Sequence, residues 1–178
     1  EHGLNGMSVN LLLHPSAYQM FLLEAPEVPA EELRDAMRWR VKDLLSEPLE
    51  DVVIDCFSLP EDAYRGRTRM VYCVVLKKSR MNEFRSLVQQ ADLTLASIDI
   101  TEMAFRNLGL LAGAEAISRA LLRLRTSEGL ISVQNCADLY MARRIEHGLA
   151  RAEQDLSSMT LEIQRSLDYY ESQLGKEY

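Results

Sequence analysis

The chain reads as runs of helical period set between short apolar runs of strand character. The clearest helical run lies between Pro29 and Leu45, PAEELRDAMRWRVKDLL. There Leu33, Ala36, Met37, Val41, Leu44 and Leu45 recur at the spacing of one helical face. Pro29 sits where a first-turn proline is tolerated, and Glu31 and Glu32 suit the positive end of the helix dipole. Pro48 ends the run, because the residue before a proline is pushed out of helical geometry. This face predicts Leu33, Val41 and Leu44 buried, with Arg34 and Lys42 exposed. Trp39 lies off the apolar face. Packing against a neighbouring lobe is the favoured reading for it, and a partner contact shared with Arg40 is the alternative.

Ser8 to His14 and Gln19 to Glu24 read as strands joined by a Pro-Ser turn. Val52 to Leu59 is a third strand, rich in β-branched and aromatic residues. Pro60 to Thr68 is a polar loop, and Arg69 to Leu76 is a fourth strand, apolar enough to be buried on both faces. Lys78 to Ala91 reads as a helix with Met81, Phe84, Leu87 and Val88 on one side. Leu93 to Ile100 is a fifth strand. Thr101 then has the character of an N-cap for a helix carrying Met103, Ala104, Leu108 and Leu111, with Gly113 placed to end it.

The last third changes character. Ala120 to Arg125, Leu130 to Val133 and Leu139 to Ile145 are short strands separated by turn residues, Thr126 to Gly129 and Asn135 to Asp138. That spacing indicates an antiparallel meander. One long helix is expected from Leu149 to about Leu174, with Leu156, Met159, Ile163, Leu167, Tyr170 and Leu174 near one stripe. The order of elements gives a mixed α/β class. Gly113 to Ser118 is the expected seam between two lobes.

Composition narrows the function classes. A chain of 178 residues suffices for one domain or two small lobes. The net charge of −7 argues against nucleic acid or an anionic membrane surface as the main partner. Cys56, Cys73 and Cys136 are odd in number and far apart. The first two lie in apolar strands and read as small buried side chains, which fits a reducing compartment. No apolar run of roughly 18 residues and no signal peptide is present. The opening EHGLNGM does not read as a natural start, so the chain is expected to be a fragment of a longer protein.

Little chemistry is legible. Phosphate-loop and dinucleotide-binding glycine patterns are absent. His2, His14 and His147 lie in different elements, so no metal ligands and no catalytic residues are assigned. Thr126 to Gly129 offers turn amides to an anion, but a plain hairpin turn is the preferred reading. Glu162, Asp168 and Glu171 read as a solvated helix face. Arg143, Arg144, Arg151 and Arg165 are interrupted as a basic patch by Glu146, Glu153 and Asp155. Tyr169 and Tyr170 are read as core packing first.

Three segments nevertheless carry a resemblance. They are VPAEELRDAMRWRVKDLL, the Pro48 to Asp55 stretch PLEDVVID, and Glu162 to Gln173, EIQRSLDYYESQ. Together with VYCVVLKKSRMNEFRSLVQQADLTLASIDITEMAFRNL between them, they resemble the actin-like type IV pilus assembly proteins PilM and MshI. The MshI side looks closer. The resemblance implies a partial actin-like (ribonuclease H-like) α/β fold with an inserted small β-α-β-β subdomain. Residues 1–113 would be a first lobe, with the insertion at about 18–76, and residues 114–178 the start of a second lobe.

The departures matter as much as the matches. The family's second lobe opens on a strand reading like V-D-I-G-x-S, whose acid and glycine approach nucleotide phosphates and metal. Leu122-Arg123-Leu124-Arg125-Thr126-Ser127 stands there, with Arg123 for the acid and Arg125 for the glycine. Close backbone approach to phosphate favours glycine, and magnesium needs carboxylate oxygens. The resemblance therefore implies a degenerate phosphate loop and no cofactor. The family's other phosphate loop falls before Glu1, and its adenosine segment beyond Tyr178. The expected protein is a non-catalytic cytoplasmic scaffold at the inner-membrane face, without membrane contact of its own in this fragment. Its expected partner is a PilN-like membrane protein, with Trp39, Arg40, Ile163 and Tyr170 as contact candidates. A nucleotide-binding ATPase of the same fold and a GspL-like type II secretion component are the alternatives. A homodimer through the C-terminal helix stripe is also expected.

Overall fold

The computed structural model describes residues 3–64, 69–111 and 118–174. It divides into two compact units: Glu1–Ser58 with Val71–Thr101, and Leu59–Met70 with Glu102–Tyr178. The 113–117 part of the expected seam and the Gly113 helix end lie outside the described residues, as do His2 and the 65–68 part of the polar loop.

Among the described residues the first unit holds five strands and two α-helices. β1 (Ser8–Leu13) pairs in parallel with β5 (Thr94–Ile100). β2 (Gln19–Glu24), β3 (Val52–Ser58) and β4 (Met70–Lys77) form a second sheet in the order β2-β4-β3. β3 and β4 run antiparallel, with Val52 opposite Lys77 and Ser58 opposite Val71. α1 (Leu33–Lys42) lies on this sheet. Leu33, Met37 and Val41 of α1 close a core with Val52, Ile54, Val71, Cys73 and Val75. α2 (Lys78–Gln90) packs along β5 but buries no residue fully.

Two expectations about α1 are corrected. Its regular turns begin at Leu33, since Pro29 to Glu32 form a tighter turn, with Glu32 N–H donating to Pro29 C=O at 3.0 Å. Leu44 is 48% exposed and not buried. The helix ends at Lys42, and Leu44 and Leu45 donate three residues back, to Val41 and Lys42. That tightening carries Leu44 out of the helical phase, and half-buried Leu45 takes the place against the core.

Thr101 is likewise not an N-cap. It is the first residue of α3 (Thr101–Leu111). Its hydroxyl donates to Leu13 C=O at 2.9 Å, and its amide donates to the Tyr18 hydroxyl at 3.1 Å.

The second unit contains the expected meander. β6 (Ser118–Leu124), β7 (Gly129–Asn135) and β8 (Asp138–Ile145) are antiparallel in that order. The central strand β7 is buried from Gly129 through Gln134. The expected long helix is interrupted. α4 (Leu149–Gln154) ends at Asp155, and α5 (Leu156–Tyr169) begins after it and passes into a wider π turn over Tyr170–Leu174. The Asp155 carboxylate accepts from the Ser158 amide at 3.1 Å, so it caps a new helix instead of sitting within one. Met159, Ser166 and Tyr170 are buried.

Candidate functional site

The residues standing where a phosphate loop was expected form the β6–β7 hairpin. Leu124 pairs with Gly129, and the Arg125 amide donates to Glu128 C=O at 2.8 Å to close the turn. The Glu128 carboxylate lies within 3.4 Å of the Arg123 guanidinium and 3.8 Å of the Arg125 guanidinium. Thr126 and Ser127 are exposed at the tip.

The backbone of this turn is also engaged. The first amides of α4, at Leu149 and Ala150, donate to the carbonyls of Arg125 and Thr126 at 2.7 and 3.0 Å. A helix N-terminus is ordinarily where free amides await an anion. Here those donors meet the protein's own carbonyls. Gly148 permits the approach, since a Cβ there would collide with Arg125 C=O. The turn's carbonyl oxygens and the two arginines are thus engaged with groups of the protein itself.

The partner candidates divide between the two units. Trp39 is 67% exposed on α1, with Lys42 Nζ 5.8 Å from its ring centre. Arg40 is exposed and donates to Glu24 C=O at 3.2 Å. Ile163 is half-buried on α5. Tyr170 is 8% exposed and serves the core of the second unit, beside a pocket of about 240 Å³ lined in part by Ser118, Ala120, Val133 and Leu167. Its ring is therefore an internal contact and not an outward one.

The arginines that looked like an interrupted basic patch are each matched to a carboxylate. Arg143 and Arg165 reach Glu162 at 3.7 and 3.3 Å, Arg151 reaches Asp155 at 3.9 Å, and Arg144 reaches Glu102 at 3.1 Å. Glu102 is fully buried, a position its helical spacing did not reveal. Asp168 accepts from Gln164 on its own helix, while Glu162 faces Arg143 and Arg165. The sequence also did not reveal that Cys56 and Cys73 meet, with sulfurs 3.2 Å apart. Strand composition predicted each as a small buried residue, whereas the pairing depends on the register between β3 and β4.

No protein-family model matches the chain, and no curated protein matches it. Solved structures do. A chain of a PilM–PilN type IV pilus biogenesis complex superposes with a TM-score of 0.75 at 17% identity, over 96% of this chain and 60% of that one. The cytoplasmic domain of EpsL, an inner-membrane component of the type II secretion system of Vibrio cholerae, gives 0.56 at 12% identity, over 78% and 50%. A Bacteroides thetaiotaomicron protein with an actin-like ATPase fold and unknown function gives 0.49 at 12% identity, over 90% and 55%, too distant to argue from. At these identities the likeness defines the fold alone. The chain is a mixed α/β protein with part of the actin-like fold, spanning 60% and 50% of the first two neighbours. Among the described residues no helix is long and apolar enough to cross a membrane.

Proposed function

We propose that this chain is a non-catalytic scaffold, a degenerate actin-like protein of the MshI kind in the MSHA or type IV pilus assembly platform. It works in the cytoplasm at the inner-membrane face and holds a PilN-like membrane protein, with no nucleic-acid contact and no direct membrane contact by these residues. Trp39 and Arg40 on the outer face of α1 are its proposed contact residues, and homodimerisation accompanies the scaffold role. The observation that carries the reading is the β6–β7 hairpin. Its carboxylate is committed to Arg123 and Arg125, and the neighbouring helix amides to turn carbonyls. The fold likeness to the PilM–PilN structure supports the choice of system.

Calorimetric titration of ATP–Mg into this chain tests the catalytic side of the proposal. No binding is expected. A dissociation constant below about 10 μM, roughly −7 kcal/mol, would overturn it. Titration with a peptide from the cytoplasmic tail of a PilN-like protein tests the partner side, where binding weakened by Trp39→Ala is expected. The likeness to the EpsL cytoplasmic domain favours a second reading, a platform component of type II secretion. That reading predicts preference for the corresponding secretion-system tail over the pilus one in the same titration.

A further inference from the structure

Cys56 and Cys73 are direct register partners across the antiparallel β3–β4 ladder. Both are free thiols, and their sulfurs lie 3.2 Å apart. Directly opposed residues hold their Cα atoms about 4.5–5.5 Å apart, inside the roughly 4.4–6.8 Å that a disulfide spans. The Cys56 amide donates to the Asp55 carboxylate at 2.9 Å. β3 is an edge strand, and an amide bonded this way belongs to the narrower kind of opposed pair, whose side chains are closest.

We propose that Cys56 and Cys73 form a reversible dithiol–disulfide site whose oxidant is a low-molecular-weight disulfide such as oxidised glutathione. Cys56 is the attacking sulfur and Cys73 the resolving one.

The two cysteines differ in access. Cys73 is 0% exposed within the α1–β3–β4 core, whereas Cys56 is half-buried at its rim. A dissolved reagent therefore meets Cys56 first. Charge follows the same order. The hydrogen bond with Cys73 lowers the Cys56 pKa, with a smaller contribution from Arg34, while burial and the Asp55 charge oppose this. That same bond, together with burial, pushes Cys73 up. The thiolate is the nucleophile in exchange, so the first attack belongs to Cys56.

In the first step the Cys56 thiolate attacks one sulfur of oxidised glutathione. The glutathione S–S bond breaks, and one glutathione leaves as thiolate. In the second step Cys73 gives its proton to solvent, attacks the Cys56 sulfur and displaces the second glutathione. The two cysteines lose two electrons and two protons, and the glutathione disulfide gains them as two thiols. The new bond ties edge strand β3 to its neighbour β4 beneath α1. A link of this kind stabilises mainly by restricting the unfolded chain.

The test is a peptide map under non-reducing conditions after the intact folded chain has equilibrated with oxidised glutathione. The expected product has lost the mass of two hydrogens and carries a Cys56–Cys73 link, with Cys136 free. Its melting temperature should rise and return on reduction. Cys73→Ala should instead trap glutathione on Cys56, and Cys56→Ser should leave Cys73 unmodified in the folded protein. A lasting glutathione adduct on Cys56 of the unsubstituted chain, with Cys73 free, would overturn the proposal. So would a link through Cys136. If either variant does not fold, the map of the unsubstituted chain decides alone.

Discussion

At the scale of single residues, burial follows helical phase until backbone geometry changes. Met37 and Val41 are fully buried and were expected on the inner face of α1. Leu44 was expected there too, and the tightened helix end turned it outward. Met37→Ala should therefore cost about 2–5 kcal/mol, while Leu44→Ala should cost less than about 1 kcal/mol. Denaturant unfolding of the two variants side by side checks this, and equal losses would restore Leu44 to the core. Tyr140 makes a second test. Burial, then the hydrogen bond to the Asp62 carboxylate and its charge, pushes the hydroxyl up to about 12. The ordinary value is about 10, so the fold favours the neutral phenol. The stability this contributes is fully present below about pH 10 and is lost as pH rises towards about 12. Tyr140→Phe should flatten the alkaline fall in stability across that window. An unchanged fall would assign it to other groups.

Among whole elements, strand and helix positions were largely legible because each carries its own period. The meander was marked by turn residues at regular spacing, and β3 and β4 by β-branched and aromatic composition. The break between α4 and α5 was not read, because the apolar stripe from Leu156 to Tyr170 could be extended back through α4 without offence to its period. The signal was Asp155 three residues ahead of Ser158, a short polar side chain poised to take an amide. Asp155→Ala should cost about 0.5–2 kcal/mol by removing that cap. It should also raise helical circular dichroism if the two helices fuse. A variant as stable as the original would mean that packing, and not the cap, sets the break. At the hairpin, the replacement of acid and glycine by Arg123 and Arg125 was visible in the sequence. The donation from Leu149 and Ala150 to the turn was not, since it joins segments more than twenty residues apart.

At the scale of the molecule, the sequence pointed to self-association through the α5 stripe, and the structure changes which residues would do it. Met159 and Tyr170 of that stripe are buried, and Ile163 and Leu167 are partly so. The middle of the stripe, Met159 to Tyr170, is spent on the second unit's own core. The large apolar side chains left outward on this helix are Leu156, 69% exposed, Leu161, 49% exposed, and Tyr169, 38% exposed. Leu156 and Leu161 stand five residues apart, about 140° around the helix, so they form no single patch and each is a separate candidate contact. The proposed homodimer, where it uses α5, should depend on one of these exposed side chains, and Leu161 is the one within the helix. Light scattering of the unsubstituted chain should report about twice its 20.3 kDa. Leu161→Asp should return it to the monomer with little change in melting temperature, because the side chain is half in water already. Ile163→Asp should lower the melting temperature, because it places a charge against a packed face. A monomer at high protein concentration would remove the dimer from the proposed function. A dimer that persists in Leu161→Asp would move its interface away from α5, most simply to an open edge of a sheet, where unpaired backbone groups invite a strand from a second copy.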